Sequence, residues 1–372
     1  MSNMTPQYLN RREHNTMSNT KFSWFIPIDG DGYHAGTEFP EREPSFEYLS
    51  QVVKTAEKHN FYSLLIPTRF ANGLFLEESP LAETWTTATA LAAVTQKIRF
   101  LIAVRPGFIP VGLFAQMAGA LHQISNGRID INIVPGGIQN DFERLGQYID
   151  HDARYERAVE FIQACQTLWN EDGPIEFNGD FYKLNNAYCS PRPKQNPPLF
   201  YLGGASPRAI DMSGKLADIH LNWIEPIRPF TELINKLKES FIANNREPRF
   251  GLRTHLIVRN TEEEAWKAAD ELISLAAPKV KAQRNTSIQG TAMVGQIAQS
   301  QRVKDHKVSD HLWNGLSEVR VNCGTAIVGT PETVAEELTK YKALGIEEFI
   351  LSGFPHVEEC IRVAEEVIPL ID

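Results

Sequence analysis

Arg253 and His255 stand two residues apart in FGLRTHLIV, a run that otherwise reads as one buried strand over 250–258. Alternation along a strand puts both side chains on the same face. A guanidinium and an imidazole on an apolar face need a partner, because an unpaired buried charge is costly. Water, a carboxylate or an anionic ligand can each fill that role. Arg320 in SEVRVNCG and His356 in SGFPH lie beside further strand-like runs. These four positions point to a cavity that receives an anion, although the chain's formal net charge is −9. The plainer alternative is a structural salt-bridge network at one end of the fold, and any one of the four taken alone reads that way. Four cations with no acidic run nearby favour function. Trp223, in LNWIEP, either walls such a cavity or fills the core.

Other segments carry weaker signals. YLGGASPRAI runs from a strand end into a helix start. Gly203 and Gly204 let the backbone approach a ligand, and Ser206 can cap the helix or donate to a phosphate. An ordinary strand-to-helix turn explains the same letters. Arg154 and Tyr155 in HDARYERAVEF can hold a phosphate and stack on a ring, or merely open a surface helix. Asn132, inside INIVPGG, needs hydrogen-bond partners if buried, which a heterocycle or a loop can supply. Asp29, Asp31 and His34 in PIDGDGYHAGT hint at a cation site. They equally describe a tight loop, and two carboxylates are few for a metal, so no metal is expected.

These residues must be held by a large α/β framework. Near-continuous apolar runs at 22–28, 62–66, 99–104, 129–134, 199–204, 218–223, 250–258 and 347–352 read as parallel strands covered on both sides. Amphipathic helical segments lie between them, clearest in PSFEYLSQVVKTAEKHN and PETVAEELTKYKALG. In the latter, Thr330 caps, Pro331 opens and Gly345 ends the helix. Eight β/α alternations predict a (β/α)8 TIM barrel with insertions at its C-terminal face. The absence of GxGxxG after the first strand argues against a dinucleotide-binding fold. Residues 1–20 read as a flexible tail and 21–372 as a single domain. The stretch EDGPIEFNGDFYKLNNAYCSPRPKQNPP contains a small hairpin, and 275–320 is expected to form a partly helical mobile lid.

Composition narrows the function classes. With 372 residues, 42% of them hydrophobic, the chain can bury a core. An acidic net charge leaves no footprint for nucleic acid. No apolar run approaches the roughly 18 residues needed to span a bilayer. The polar N-terminus is no secretory signal. Cys165, Cys189, Cys323 and Cys360 show no CxxC spacing, so neither a disulfide framework nor a zinc site is expected, and a cytoplasmic location fits.

Taken together, these pieces resemble the bacterial luciferase-like flavin monooxygenases, most closely the FMNH2-dependent alkanesulfonate monooxygenases. The resemblance covers roughly 350 residues and runs through FSWFIPIDGDG, LLIPT, the A-V-RP run at 103–106, SNGR, RYE, the GG-S turn, FG-R-H-IVR and SG-PH-EE in one order. It implies that Asn132, Arg154, Tyr155, Gly204 and Ser206 bind FMN. Arg154, Tyr155 and Ser206 are expected at the phosphate end and Thr68 near the flavin ring. It assigns Arg253, His255, Arg320, His356 and Trp223 to the active site. In that family reduced FMN and O2 oxygenate a sulfonate, whose C–S bond breaks to give an aldehyde and sulfite. An NAD(P)H-dependent flavin reductase is the partner, and a homodimer or homotetramer is expected. A sulfonate is a fixed anion with three acceptor oxygens, well matched to arginine forks.

Three departures sit at the barrel mouth. Phe354 replaces the tyrosine usual in SGYPH, so a phenol is missing. The segment after LLIPT, RFANGLFLEESPLAETW, is longer and lacks a cysteine. PGGIQND follows the fourth strand. They bear on the substrate more than on the flavin, leaving open a monooxygenase of another substrate class (sulfone, pyrimidine or other small organic) and a non-catalytic flavin-binding barrel.

Overall fold

The computed structural model describes residues 20–137, 139–288 and 306–371. Most of the expected tail and the middle of the expected lid lie outside the described residues. In chain order the strands are β1 (Lys21–Phe25), β2 (Ser63–Ile66), β3 (Arg99–Val104), β4 (Ile129–Ile133), β5 (Ile175–Asn178), β6 (Lys183–Ala187), β7 (Phe200–Gly203), β8 (Ile219–Trp223), β9 (Phe250–Arg253), β10 (His255–Val258), β11 (Leu312–Trp313), β12 (Ala326–Gly329) and β13 (Ile346–Leu351). Eight of them close a barrel in the order β1-β13-β9-β8-β7-β4-β3-β2, with parallel pairing throughout. This is the (β/α)8 barrel expected from the eight apolar runs. The antiparallel pair β5–β6 is the expected hairpin.

The principal helices are α1 (Phe46–Lys58), α2 (Thr84–Ala93), α3 (Val111–Ile124), α4 (Gln139–Arg144), α5 (His151–Asn170), α6 (Pro207–Leu216), α7 (Ile227–Ala243), α8 (Glu262–Ser274), α9 (Pro278–Ile288), α10 (Pro331–Lys342) and α11 (His356–Arg362). Their starts follow local chemistry. Ser45 accepts from the Tyr48 N–H ahead of α1, and Thr330 accepts from the Thr333 N–H ahead of α10, with Pro331 in its first turn. Beyond α10, Gly345 takes φ +103°, a left-handed geometry that favours glycine. The apolar face of α1 buries Leu49, Val52, Val53 and Ala56. Each such branched side chain contributes on the order of 1.5–3 kcal/mol.

Strand parity divides the packing. Ile129, Ile131 and Ile133 of β4 join the outer, helix-facing core. Phe25, Leu65, Leu101, Tyr201, Ile219, Leu221 and Ile350 fill the barrel interior. At the strand N-terminal end, the buried Glu348 carboxylate accepts from Ser23 Oγ (2.6 Å), Ser63 Oγ (3.1 Å) and the Tyr201 hydroxyl (2.7 Å). Above the C-terminal ends a second core forms from the loops after β1, β2 and β13 together with α8 and the small sheet. It includes Ala35, Leu74, Phe75, Leu76, Trp313 and Phe354.

One element departs from the sequence reading. FGLRTHLIV is not a single strand. It divides at Thr254, where β9 stays in the barrel and β10 leaves to pair in parallel with β12, while β11 pairs antiparallel with β12 on its other side. The Thr254 N–H still donates to Ile350 O in the barrel, but the His255 N–H donates to Thr325 O of the insertion. Past Thr254 one bond to the β13 segment remains, from the Leu256 N–H to Ser352 O at 2.8 Å, and β12 supplies the other partner.

Candidate active site

Arg253 and His255 do meet, but through the break at Thr254 rather than through alternation. Arg253 ends β9 on the interior face, opposite Trp223 of β8. Its guanidinium carbon lies 4.4 Å from the centre of the Phe25 ring, and Nη1 donates to Thr254 O at 2.6 Å. Nη2 is buried without a partner. Arg320 follows the short 3-10 turn Gly315–Glu318 and reaches the same ring at 5.3 Å. Its Nε is also buried without a partner. Neither arginine forms an ion pair among the described residues. A cation over an aromatic face gains on the order of 1–2 kcal/mol when desolvated, which does not replace a counter-ion. Burial pushes Arg253 down to about 10 and Arg320 down to about 9, so both stay protonated at neutral pH.

The two histidines are neutral. Burial, reinforced by the two arginines, holds each well below the usual imidazole range. His255 Nε2 sits 3.0 Å from Cys323 O, which can only accept, so this nitrogen carries the proton. Nδ1 then accepts from Ser352 Oγ at 2.7 Å. Both ring nitrogens are therefore engaged, which suits positioning better than proton transfer. The ring stacks on Phe354 at 5.7 Å, and Phe354 meets the His356 ring edge-on at 5.3 Å. His356 Nδ1 is buried without a hydrogen bond.

The Asp-Gly-Asp loop binds protein rather than gathering on one cation. Asp29 accepts from Arg69 Nε (2.8 Å) and the Gly73 N–H (2.8 Å). Asp31 accepts from the Tyr48 hydroxyl and from the His356 N–H at 2.6 Å. His34 pairs with Glu41. Among the described residues no cluster of His, Cys, Asp or Glu suits a metal ion.

A second group lies where β4 and β7 hand over to their helices. The tyrosine Tyr155, in the first turn of α5, lies with its hydroxyl beside Ser206, which lowers its otherwise burial-raised pKa. Ser206 caps α6, accepting from the Ala209 N–H at 3.2 Å. Gly204 takes φ +125°, and a Cβ there would stand 2.8 Å from Ala209 Cβ and 3.8 Å from the Tyr155 hydroxyl. A hydroxyl pair and a helix start thus meet at a turn that only glycine leaves open, a setting that suits a phosphate. Arg154 stacks on Phe142 at 4.4 Å, with Nε and Nη1 buried and unpartnered. Burial lowers its pKa, helped by repulsion from Arg105 and Arg157. Asn132 is half-buried on the interior face of β4, beside Tyr201 in register. Thr68 is half-buried just beyond β2.

Sequence reasoning missed Arg69, Arg105 and Arg157. Arg105 pairs with Asp141 at 3.0 Å, and Arg157 bonds Gln147 at 2.7 Å. The visible signal was glycine. A Cβ on Gly73 would press on the Arg69 guanidinium, and one on Gly107, at φ +100°, on that of Arg157.

The closed parallel barrel places the chain in the (β/α)8 class. The luciferase-like monooxygenase family model matches residues 20–348, and the chain belongs to that family. Among solved structures, a riboflavin lyase holding modified FMN and riboflavin superposes with a TM-score of 0.78 at 18% identity, covering 94% of this chain and 91% of that one. The EDTA monooxygenase of Chelativorans sp. BNC1 gives 0.75 at 15% identity, with 94% and 93% covered. A long-chain alkane monooxygenase gives 0.74 at 17% identity, with 94% and 90% covered. At these identities the superpositions establish a shared fold. No described helix is long and apolar enough to cross a membrane.

Proposed function

We propose that this protein is the oxygenase of a two-component system. It uses reduced FMN and O2 to oxygenate an organosulfonate, whose C–S bond breaks to give an aldehyde and sulfite. The observation that carries this reading is the pair of buried guanidinium groups, Arg253 and Arg320, that flank Phe25 without a carboxylate partner. Burying two such charges unpaired is expensive unless a ligand anion completes them.

FMN fits the residues on hand. Tyr155, Gly204, Ser206 and Arg154 would hold the phosphate, with Asn132 and Thr68 toward the ring. Bound reduced FMN supplies the electrons that activate O2. Arg253 and Arg320 orient the sulfonate oxygens and stabilise negative charge developing beside them. His255, locked by Ser352 and the Cys323 carbonyl, fixes the floor on which Phe354 stacks. Trp223, Phe25 and Phe354 exclude water from the reacting region. An NAD(P)H-dependent flavin reductase would supply the reduced flavin, and a homodimer or homotetramer is the expected assembly.

The test is sulfite release from a panel of sulfonates with FMN, a reductase, NADPH and O2. Sulfite above the enzyme-free control, lost in Arg253→Ala and Arg320→Ala, supports the reading. An oxygen-dependent product without sulfite from any sulfonate assigns the protein to another substrate class, which the absent phenol at Phe354 favours. Flavin binding with no oxygen-dependent product on any substrate assigns it to non-catalytic flavin-binding barrels.

A further inference from the structure

We propose that Arg69 is the third guanidinium of this site and that the substrate is a dianion, a sulfonate that carries a second, carboxylate-type group. The inference rests on the organosulfonate reading and deepens it. Arg69 follows Thr68 in the extended segment after β2. Its side chain is 6% exposed, and its Nε donates to Asp29. No hydrogen bond among the described residues engages its Nη1 or Nη2.

A rigid bracket holds it there. The second Asp29 oxygen takes the Gly73 N–H. Asn72 Nδ2 donates to Asp29 O (2.7 Å) and Pro80 O (2.9 Å), while Asn72 Oδ1 accepts from the Leu74 and Phe75 N–H groups. A Cβ on Gly73 would stand 2.9 Å from the Arg69 Cζ, so this glycine makes room for the guanidinium. The bracket touches the segment that carries Arg320, since the Val321 N–H faces Gly73 O at 3.5 Å. A small cavity of about 30 Å³ there is lined by Arg69, Gly73 and Val321 together with Glu77, Asp141 and Arg144, and these two carboxylates are already paired, Glu77 with Arg144 and Asp141 with Arg105. After burial, repulsion from Arg69 also lowers the pKa of Arg253 and of Arg320.

The charge count follows. Three guanidinium groups converge, and Asp29 is the one carboxylate that pairs with any of them among the described residues. With both histidines neutral, the net charge is +2. With oxidised flavin, whose ring is neutral, a monoanionic sulfonate leaves one positive charge uncompensated in a buried setting, whereas a dianion closes the balance. A sulfonate held by Arg253 and Arg320 would then place its second anionic group toward Arg69.

Calorimetric titration with propane-1-sulfonate, 3-sulfopropanoate and pentanedioate tests this at neutral pH, on wild type and Arg69→Gln. Saturating oxidised FMN is present, because its neutral ring leaves the count unchanged. One added charge-assisted contact predicts that 3-sulfopropanoate binds wild type at least about tenfold tighter than propane-1-sulfonate. Arg69→Gln should shrink that advantage to less than about threefold, and Arg69→Lys should retain most of it. Equal affinities in wild type, an advantage that survives Arg69→Gln, or binding of none of the three overturns the proposal. Tight pentanedioate binding without sulfite from either sulfonate keeps the dianion site and rejects the sulfonate reading. If Arg69→Gln fails to fold, the wild-type comparison of the three ligands alone decides.

Discussion

Two buried sites at opposite ends of this barrel hold charge in opposite ways. At the strand N-terminal end, three hydroxyl donors surround Glu348, and Asp130 pairs with Arg99 at 2.7 Å while accepting the Leu199 N–H. At the C-terminal end, Arg253 and Arg320 lie just as deep, yet Nη2 of one and Nε of the other have no partner. Depth is the same and satisfaction is not. The satisfied carboxylates serve the fold, whereas two unpaired guanidinium groups flanking one ring point to an anion that arrives from outside.

The sharpest way to break this contrast is to empty the satisfied end. Glu348→Leu leaves three buried hydroxyl groups without their acceptor and should cost about 4 kcal/mol of unfolding free energy in a urea titration. A loss under about 1 kcal/mol would mean that the hydroxyls find other partners. At the unsatisfied end the same kind of change should do the reverse. Arg253→Met should lower kcat/KM for the sulfonate by about 100-fold or more, close to 3 kcal/mol of transition-state stabilisation. It should also leave unfolding stability equal or raise it by about 1 kcal/mol, because an uncompensated buried charge has gone. A variant that loses stability as well as activity would place Arg253 with the fold.

Asp31 stands between the two modes. Tyr48 and the His356 N–H both donate to its Oδ2, Oδ1 is buried without a partner, and burial raises its pKa from 3.8 to about 6. A carboxyl whose folded pKa lies above its unfolded value binds its proton more tightly when folded. Its contribution to stability is therefore complete below about 3.8 and falls away as pH rises through about 6. Between pH 4 and pH 7, wild type should lose roughly 2 kcal/mol relative to Asp31→Asn, which accepts the same bonds without ionising. Parallel pH profiles for the two proteins would remove Asp31 from the account. The smallest effect is expected at Phe354. Phe354→Tyr keeps the stack on His255 and restores a phenol, so kcat should change by less than about tenfold, a typical general-acid contribution being larger. A larger rise would identify a proton donor as the missing element of the site.

What was legible in the sequence follows from which forces act locally. The eight barrel strands could be read because parallel strands buried on both faces must be apolar along their whole length. Capping by Thr330 could be read for the same local reason. The break at Thr254 could not. Threonine is a good strand former, and its hydroxyl is satisfied by His255 O and Thr325 O, one of which lies 71 residues away. β12 is only AIVG, four residues directly ahead of a helix cap, and it becomes a strand because β10 is there to pair with it. At the site, Arg253, His255, Arg320 and His356 do converge, and Tyr155, Gly204 and Ser206 do meet. Arg69 stayed hidden because the residue that holds it, Asp29, looked like half of a cation site.

The division at Thr254 has a mechanical consequence. Arg253 belongs to the barrel and His255 to the small outer sheet, so a single residue, Thr254, carries any relative movement of the two layers straight into the site. Shortening or shifting β11 or β12 would tilt His255, and the Phe354 ring stacked on it, while leaving the Tyr155–Ser206 cradle where it is. The outer sheet is a tuning arm, through which a lineage can reshape what the mouth accepts without disturbing the grip at the other end.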